Sequence, residues 1–435
     1  MKVQYISPLS DLEVELIPLF SNENMLAFFK KFCDAIQSRI WRFKRKRNAR
    51  YEADDFLRVF FYSEITGRSI KSASERLNRF YLQKKRGKRK YYADGRKKRA
   101  VPHQTDVNRF LRRIGLKKAR NILRECLFWQ LKEALELNLI SRKVNVLIDF
   151  TEHPYYGKRD DKMIKGTNRQ KGTKKMRHYL GFSILSRGIQ LYAGLEQVAN
   201  GQSKIPIIIT FLDSVLDLGF ELNFVIMDRE FYRAELLDEI KGMKGNVLIP
   251  AKIYKQIKKM IEDYLQDTGK RVRKYTFSST LEAKFRFFQN VYLILNAKKG
   301  HSLLEVKRDF QKDKLTLANA SKLIYAIMTT QKPKGMSSSW ASRTSRFYKK
   351  RWNIETGFSD LNRMGRRWKS THDNTRYLDL LVRMLLYNSW KINGAWLKKN
   401  RKNGMKMHEW TLQDNQDALI DLFFELQRKS MPIMC

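Results

Sequence analysis

Two short stretches constrain the fold of this chain more than anything else in it: VNVLID at 144–149 and NFVIMD at 223–228. Each is a run of β-branched and apolar residues about as long as a strand, and each closes on an aspartate. A continuous apolar run of that length reads as a strand covered on both faces. Asp149 and Asp228 then stand at the ends of buried strands, where a carboxylate is poorly solvated and a purely structural protein tends to avoid one. Between them, HYLGFSILSRGIQLYAGLEQV (178–198) reads as two strands joined by a hairpin at Arg187-Gly188. IPIIITFLDSVLDLG (205–219) reads as a helix, and after Asp228 come a helix (RAELLDEIKGM, 233–243) and a strand (GNVLIPAK, 245–252). Three strands able to pair antiparallel, followed by alternating helix and strand, describe a mixed α/β sheet with helices on its faces.

The flanks differ in texture. Before residue 141 the patterns are helical: EADDFLRVFFYSEITG (52–67), a turn at Gly67, then SIKSASERLNRFYLQ (69–83). TDVNRFLRRIG is predicted to start at a capping Thr105 or Asp106 and to stop at Gly115, and ARNILRECLFWQLKEALELN (119–138) continues helical. Two basic runs, 39–50 and 84–99, carry interleaved Trp41, Phe43, Tyr91 and Tyr92. Together these features predict a helical, basic DNA-binding region over 1–140, of helix-turn-helix type. Residues 158–177 hold nine Lys or Arg and read as a basic loop. The sheet pattern over 141–252 gives way at 253–330 to a β-rich insertion (RKYTFSS, AKFRFFQNVYLILNA, KLIYAIMTT). Helices then complete the domain over 331–395 and continue through a C-terminal helical region, 396–435.

Composition narrows the partners. The 435 residues include 88 Lys plus Arg against 44 Asp plus Glu, a formal net charge of +44. Self-repulsion on that scale opposes a compact fold unless a polyanion neutralises it. Duplex DNA is the expected polyanion. A membrane is not expected, because no stretch approaches about 20 uninterrupted apolar residues. The start of the chain lacks the charged and apolar regions of a secretion signal. The cysteines (Cys33, Cys126, Cys435) are three, without zinc-like spacing, which points to a reduced, cytoplasmic location. The histidines are scattered singly, so any metal site must be built from carboxylates.

A third acid sits in YKKRWNIETGFSDLN (348–362). Laid on one continuous helix at about 100° per residue, Phe347, Ile354, Phe358 and Leu361 form an apolar stripe. Tyr348, Arg351, Glu355 and Asn362 form a second stripe beside it, and Trp352 lies beyond, away from the core. Glu355 then borders the sheet ends while Tyr348 and Arg351 face a ligand. Asp149, Asp228 and Glu355 together propose a carboxylate triad for two Mg²⁺ or Mn²⁺ ions, the hard cations that suit a few carboxylates plus phosphate oxygens. Such a pair of ions serves in-line displacement at phosphorus.

At these residues the sequence resembles the DDE transposases of prokaryotic insertion sequences, in the insertion sequence four group, whose catalytic domain is RNase H-like and carries a β-rich insertion. That group's Tyr-Arg-Glu-Lys signature is matched in register by Tyr348, Arg351 and Glu355, but Asn362 stands at the Lys position. Arg363 is adjacent to it, and Arg366 returns to the same face one turn later. IDFTEHPYYG resembles the first-Asp motif and VIMDREFY the second. The resemblance implies that Asp149, Asp228 and Glu355 hold the metal and that Tyr348 and Arg351 contact phosphates near the cleaved end. It makes Arg363 or Arg366 a candidate for the missing lysine's contact, Arg366 foremost, and Trp352 a candidate platform for a flipped base. Tyr155 and Tyr156 have two open readings, DNA contact or turn packing; so does Glu230, an ion pair or solvent.

The implied function is cut-and-paste transposition: hydrolysis at the element's terminal inverted repeats, then joining to target DNA, by a homodimer assembled on DNA. Two alternatives stand beside it. One is an inactive, transposase-derived DNA-binding protein; the other is an RNase H-like nuclease that cuts without joining.

Overall fold

The structure is a computed structural model that describes residues 51, 53–84, 101–158, 162–170, 172–281, 285–333, 338–364, 370–399 and 411–429. The basic runs at 39–50 and 85–99 and the Arg366 position lie outside the described residues. Two compact units emerge. One comprises the described parts of 1–129, 363–394 and 404–435; the other comprises those of 130–362 and 395–403.

The first unit is helical. Helices α1 (Ala53–Ile65) and α2 (Ile70–Lys84) flank a turn in which Gly67 takes φ +63°, a conformation that favours glycine. Helix α3 (Gln104–Arg113) is capped by His103, whose ring accepts from the Thr105 amide, so it begins just before the expected Thr105. Phe56 of α1 stacks on Phe110 of α3 with ring centroids 4.7 Å apart. Asn78 of α2 exchanges hydrogen bonds with the Val101 backbone, tying α2 to the chain entering α3. Helix α4 (Leu116–Glu136) leads out of this unit.

The second unit is built on one sheet. After β1 (Lys143–Pro154) come β2 (Ile164–Gln170), β3 (Thr173–Ser186) and β4 (Ile189–Gln197). Helix α5 (Ile205–Asp217), β5 (Glu221–Met227), a 3₁₀ turn (Arg229–Phe231), α6 (Ala234–Gly242) and β6 (Asn246–Pro250) follow. Strand β3 pairs antiparallel with both β1 and β4, whereas β1, β5 and β6 run parallel. This is the mixed sheet with flanking helices expected of an RNase H-like fold. The β3–β4 hairpin turns at Arg187 and Gly188 as expected, and both take positive φ (+49° and +83°), which Gly188 adopts freely and Arg187 rarely does.

Two expectations change. The stretch 158–177 is not a loop: β2 and the first residues of β3 form an antiparallel hairpin there. Lysine and arginine mask the pattern, because an edge strand facing water carries charge where a covered one carries apolar side chains. The stretch 253–330 is not purely strand-like either. It holds α7 (Lys255–Leu265), α8 (Leu303–Gln311) and α9 (Leu317–Lys322) besides β7 (Val272–Leu281), β8 (Phe285–Ala297) and β9 (Ile324–Thr329). Its strands extend the same sheet in the order β6-β9-β8-β7.

Helices cover both sheet faces. Phe182 of β3 stacks on Phe211 of α5 at 4.0 Å, while the next residue back, Gly181, receives the ring of Phe358. Successive strand residues face opposite ways, so α5 and the helix bearing Phe358 lie on opposite faces. That helix, α11 (Trp352–Arg363), follows α10 (Ser338–Tyr348) through a 3₁₀ turn at Lys349–Arg351. The chain continues as α12 (Asp373–Lys399) and α13 (Leu412–Lys429). Among the described residues no helix is long and apolar enough to cross a membrane.

Candidate active site

Val144, Val146, Leu147 and Ile148 are fully buried, and β1 delivers Asp149 directly after them. On the neighbouring parallel strand, Ile148 lies opposite Met227, so Asp149 and Asp228 leave adjacent strand ends side by side. Neighbouring strands are about 4.8 Å apart. Asp228 precedes the 3₁₀ turn, but its side chain makes no cap hydrogen bond, so turn capping does not account for its carboxylate.

Glu355 arrives from the other direction. Asp149 pairs across the ladder with Gly181, and a Cβ at Gly181 would lie 2.3 Å from the Phe358 ring. The bare glycine therefore admits the phenyl ring against the sheet. Glu355, three residues earlier on α11, lies on the same helix face as Phe358. Ile354, Phe358 and Leu361 are buried, which fixes α11's rotation.

Arg351 joins the acids. Its Nη1 donates to Asp149 Oδ2 at 2.9 Å and to Glu355 Oε1 at 2.5 Å, and its Nε donates to the Tyr348 hydroxyl at 3.1 Å. Burial works against this cation, but Tyr348, Asp149, Glu355 and Asp228 more than offset it and hold the guanidinium well above its ordinary range. Burial dominates at Asp149. It pushes the carboxyl from 3.8 up to about 6; Asp228 and Glu355 add to the rise, while the Phe150 amide and Arg351 oppose it. Tyr348 is pushed up to about 12, chiefly by burial. The two partners of the Asp149–Arg351 pair thus read differently. Guanidinium stays charged in any protein, so Asp149 is the member whose charge is conditional.

Among the described residues no group of three acid, His or Cys side chains is disposed to hold a metal ion. Asp149 and Glu355 instead share a guanidinium. Two carboxylates converging in a part-buried site need a cation between them, and Arg351 is the one that stands there. A donor set of hard carboxylate oxygens around a stand-in cation fits Mg²⁺ or Mn²⁺ in kind.

The other expected site residues are distributed unevenly. Tyr348 is buried and Phe347 only half-buried, the reverse of the single-helix wheel. The cause is the 3₁₀ turn: at about 120° per residue, three residues advance the phase by about 60° over an α-helix. Arg351 is 12 % exposed and faces the acids, where the wheel had it facing a ligand. Trp352 is 63 % exposed, away from the core as expected. Asn362 and Arg363 are exposed. Glu230 pairs with Lys204 at 3.6 Å. Tyr155 is buried with the Arg177 guanidinium over its ring, whereas Tyr156 is exposed. The seat for α11 at Gly181 was missed. Its signal was a glycine inside the strand pattern HYLGFSIL, which marks close approach of another group.

Residues 141–389, which include all three acids, match the family described as "Transposase DDE domain". The chain belongs to the DDE transposase family. Members are enzymes, DNA endonucleases and strand transferases of transposition and recombination. This transposase is similar in structure to a piggyBac transposase synaptic complex with hairpin DNA, at 12% identity, TM-score 0.48, and coverage of 97% of this chain and 82% of that one. It is similar also to a Drosophila P element transposase strand transfer complex, at 11% identity, TM-score 0.25, and coverage of 97% and 88%. No curated protein matches the chain.

Proposed function

We propose that this transposase moves an insertion sequence by cut-and-paste, as a member of the insertion sequence four group, with Asp149, Asp228 and Glu355 as its metal-holding triad. The observation that carries the reading is the meeting of Asp149 and Glu355 at one guanidinium, beside a strand-end Asp228 whose charge both Asp149 and Arg351 feel. Asp149, Asp228 and Glu355 would hold magnesium or manganese, which would supply Lewis acidity toward the attacking and leaving oxygens.

The rest falls to this chain's own groups. In the first step a water oxygen bonds to phosphorus as the bond to the 3′ oxygen breaks, leaving a 3′-hydroxyl and a 5′-phosphate. In the second, that hydroxyl bonds to a target phosphorus and displaces the target's own 3′ oxygen. Arg351 serves both as counter-cation to the acids and, when a phosphate arrives, as a charged donor to its oxygens. Tyr348 orients Arg351 through its hydroxyl. Trp352 offers an exposed ring on which an unstacked base rests. Arg366 takes the phosphate contact that the signature's lysine makes elsewhere. Residues 1–140 hold the duplex, and two copies of the chain bring two element ends together.

The test is divalent-dependent cleavage and joining on duplexes that carry the element's terminal inverted repeats. Asp149→Ala, Asp228→Ala and Glu355→Ala each abolish both steps. Retention of cleavage and joining by all three variants overturns the mechanism. Cutting without joining in the wild type would instead identify a nuclease, and salt-sensitive binding without cutting a DNA-binding derivative.

A further inference from the structure

We infer that the β2–β3 hairpin is a second DNA-contacting element, a basic ribbon that grips the duplex several base pairs from the cleaved phosphate. The inference rests on the transposase reading above and extends it to a surface that the acids do not define.

The hairpin is rigidly joined to the strand that carries Asp149. Where β1 ends, the Tyr155 amide donates to Lys175 O at 2.8 Å, and Thr173 Oγ1 donates to Tyr155 O at 2.9 Å. The Arg177 guanidinium covers the Tyr155 ring at 4.6 Å. Beyond this clasp the ribbon is two-stranded, with Gly166 opposite Lys175 and Gln170 opposite Thr173. Its charge has one sign: from 162 to 178 the sequence holds no acid. Lys165 lies opposite Met176, and Lys174 is two residues from Met176, so the two exposed lysines share one sheet face. Lys175 lies on the other. An open depression of about 440 Å³ beside the clasp is lined by Tyr156, Lys174 and Lys175.

Scale and shape both suit a duplex. A two-stranded ribbon fits the major groove, about 12 Å wide. Strand β3 runs seven residues from Gly181, opposite Asp149, to Lys174. At about 3.3 Å per residue that is about 23 Å, or about seven base-pair steps. Lysines also guard an edge strand against unwanted pairing. Glutamates guard it equally well, so charge reversal separates the two roles.

The experiment measures binding of the full chain to a random-sequence duplex of about 30 base pairs, by fluorescence anisotropy in EDTA across a salt series. Lys165→Glu/Lys174→Glu is compared with Lys312→Glu/Lys314→Glu, exposed lysines elsewhere that impose the same change in net charge. The ribbon pair is expected to bind about 30-fold more weakly than the control pair near 0.15 M salt, with a salt slope shallower by about 1.8. Lys165→Gln/Lys174→Gln, which adds no acid, gives the same loss of slope, and Lys165→Arg/Lys174→Arg keeps wild-type binding. Ribbon variants that bind no more weakly than the control pair overturn the inference. If the wild type still cuts its repeats in that case, the transposase reading stands; if it neither binds nor cuts DNA, the failure lies in that reading.

Discussion

Replacing Asp149 with asparagine should remove a pH-dependent loss of stability from the metal-free protein while abolishing its chemistry. The side chain is 13 % exposed, and burial raises its carboxyl from 3.8 to about 6. The unfolded chain gives up this proton near pH 4, whereas the folded protein keeps it to about pH 6. Folding therefore takes up a proton between those values, and stability falls as pH rises through that window. Above it the charged aspartate lowers stability by about 3 kcal/mol, from about 1.4 kcal/mol for each pH unit between the two pKa values. Asparagine has the same shape and never ionises, while its single oxygen accepts from only one of the two donors that Asp149 serves with separate oxygens, the Phe150 amide and Arg351. Urea unfolding in EDTA should show the stability of Asp149→Asn relative to wild type rising by about 3 kcal/mol between pH 4 and pH 7.5. A relative stability that does not rise between these pH values would refute the argument that burial sets this carboxyl.

Three further outcomes follow from the packing. Gly181→Ala forces a Cβ to within 2.3 Å of the Phe358 ring, so it should cost about 1–3 kcal/mol in thermal unfolding and slow cleavage by shifting Glu355, with Phe358→Leu restoring part of both. Glu64 and Arg383 form a fully buried ion pair at 3.3 Å in the helical unit; Glu64→Ala should cost about 3–5 kcal/mol in denaturant unfolding, and Glu64→Leu/Arg383→Met together much less. Trp352→Ala should leave stability within about 0.5 kcal/mol. It should slow cleavage by about 5- to 150-fold, the equivalent of one base–aromatic stack of about 1–3 kcal/mol.

The sheet's core was legible because VNVLID and NFVIMD are nearly continuous apolar runs, and the hairpin at Arg187-Gly188 was legible because a glycine between two strand patterns supplies a positive φ at little cost. The β2–β3 ribbon was not, since an exposed edge strand rich in lysine has the composition of a loop. Along YKKRWNIETGFSDLN the apolar register of Ile354, Phe358 and Leu361 could be read from periodicity. The preceding 3₁₀ turn could not, because nothing in YKKR distinguishes it from α-helix, and it exchanged the burial of Phe347 and Tyr348. The acids could be named from where their strands end. Arg351's place between them required the third dimension: residue 351 meets residue 149 only because Gly181 lets α11 approach the sheet.

The most direct test of the triad is anomalous scattering from a crystal of the full chain soaked in Mn²⁺ with a DNA end bound. The account predicts one or two manganese peaks whose coordinating oxygens come from Asp149, Asp228 and Glu355, with Arg351 turned to a phosphate oxygen. Manganese bound elsewhere on the chain, or a site that engages only one of the three carboxylates, would contradict it.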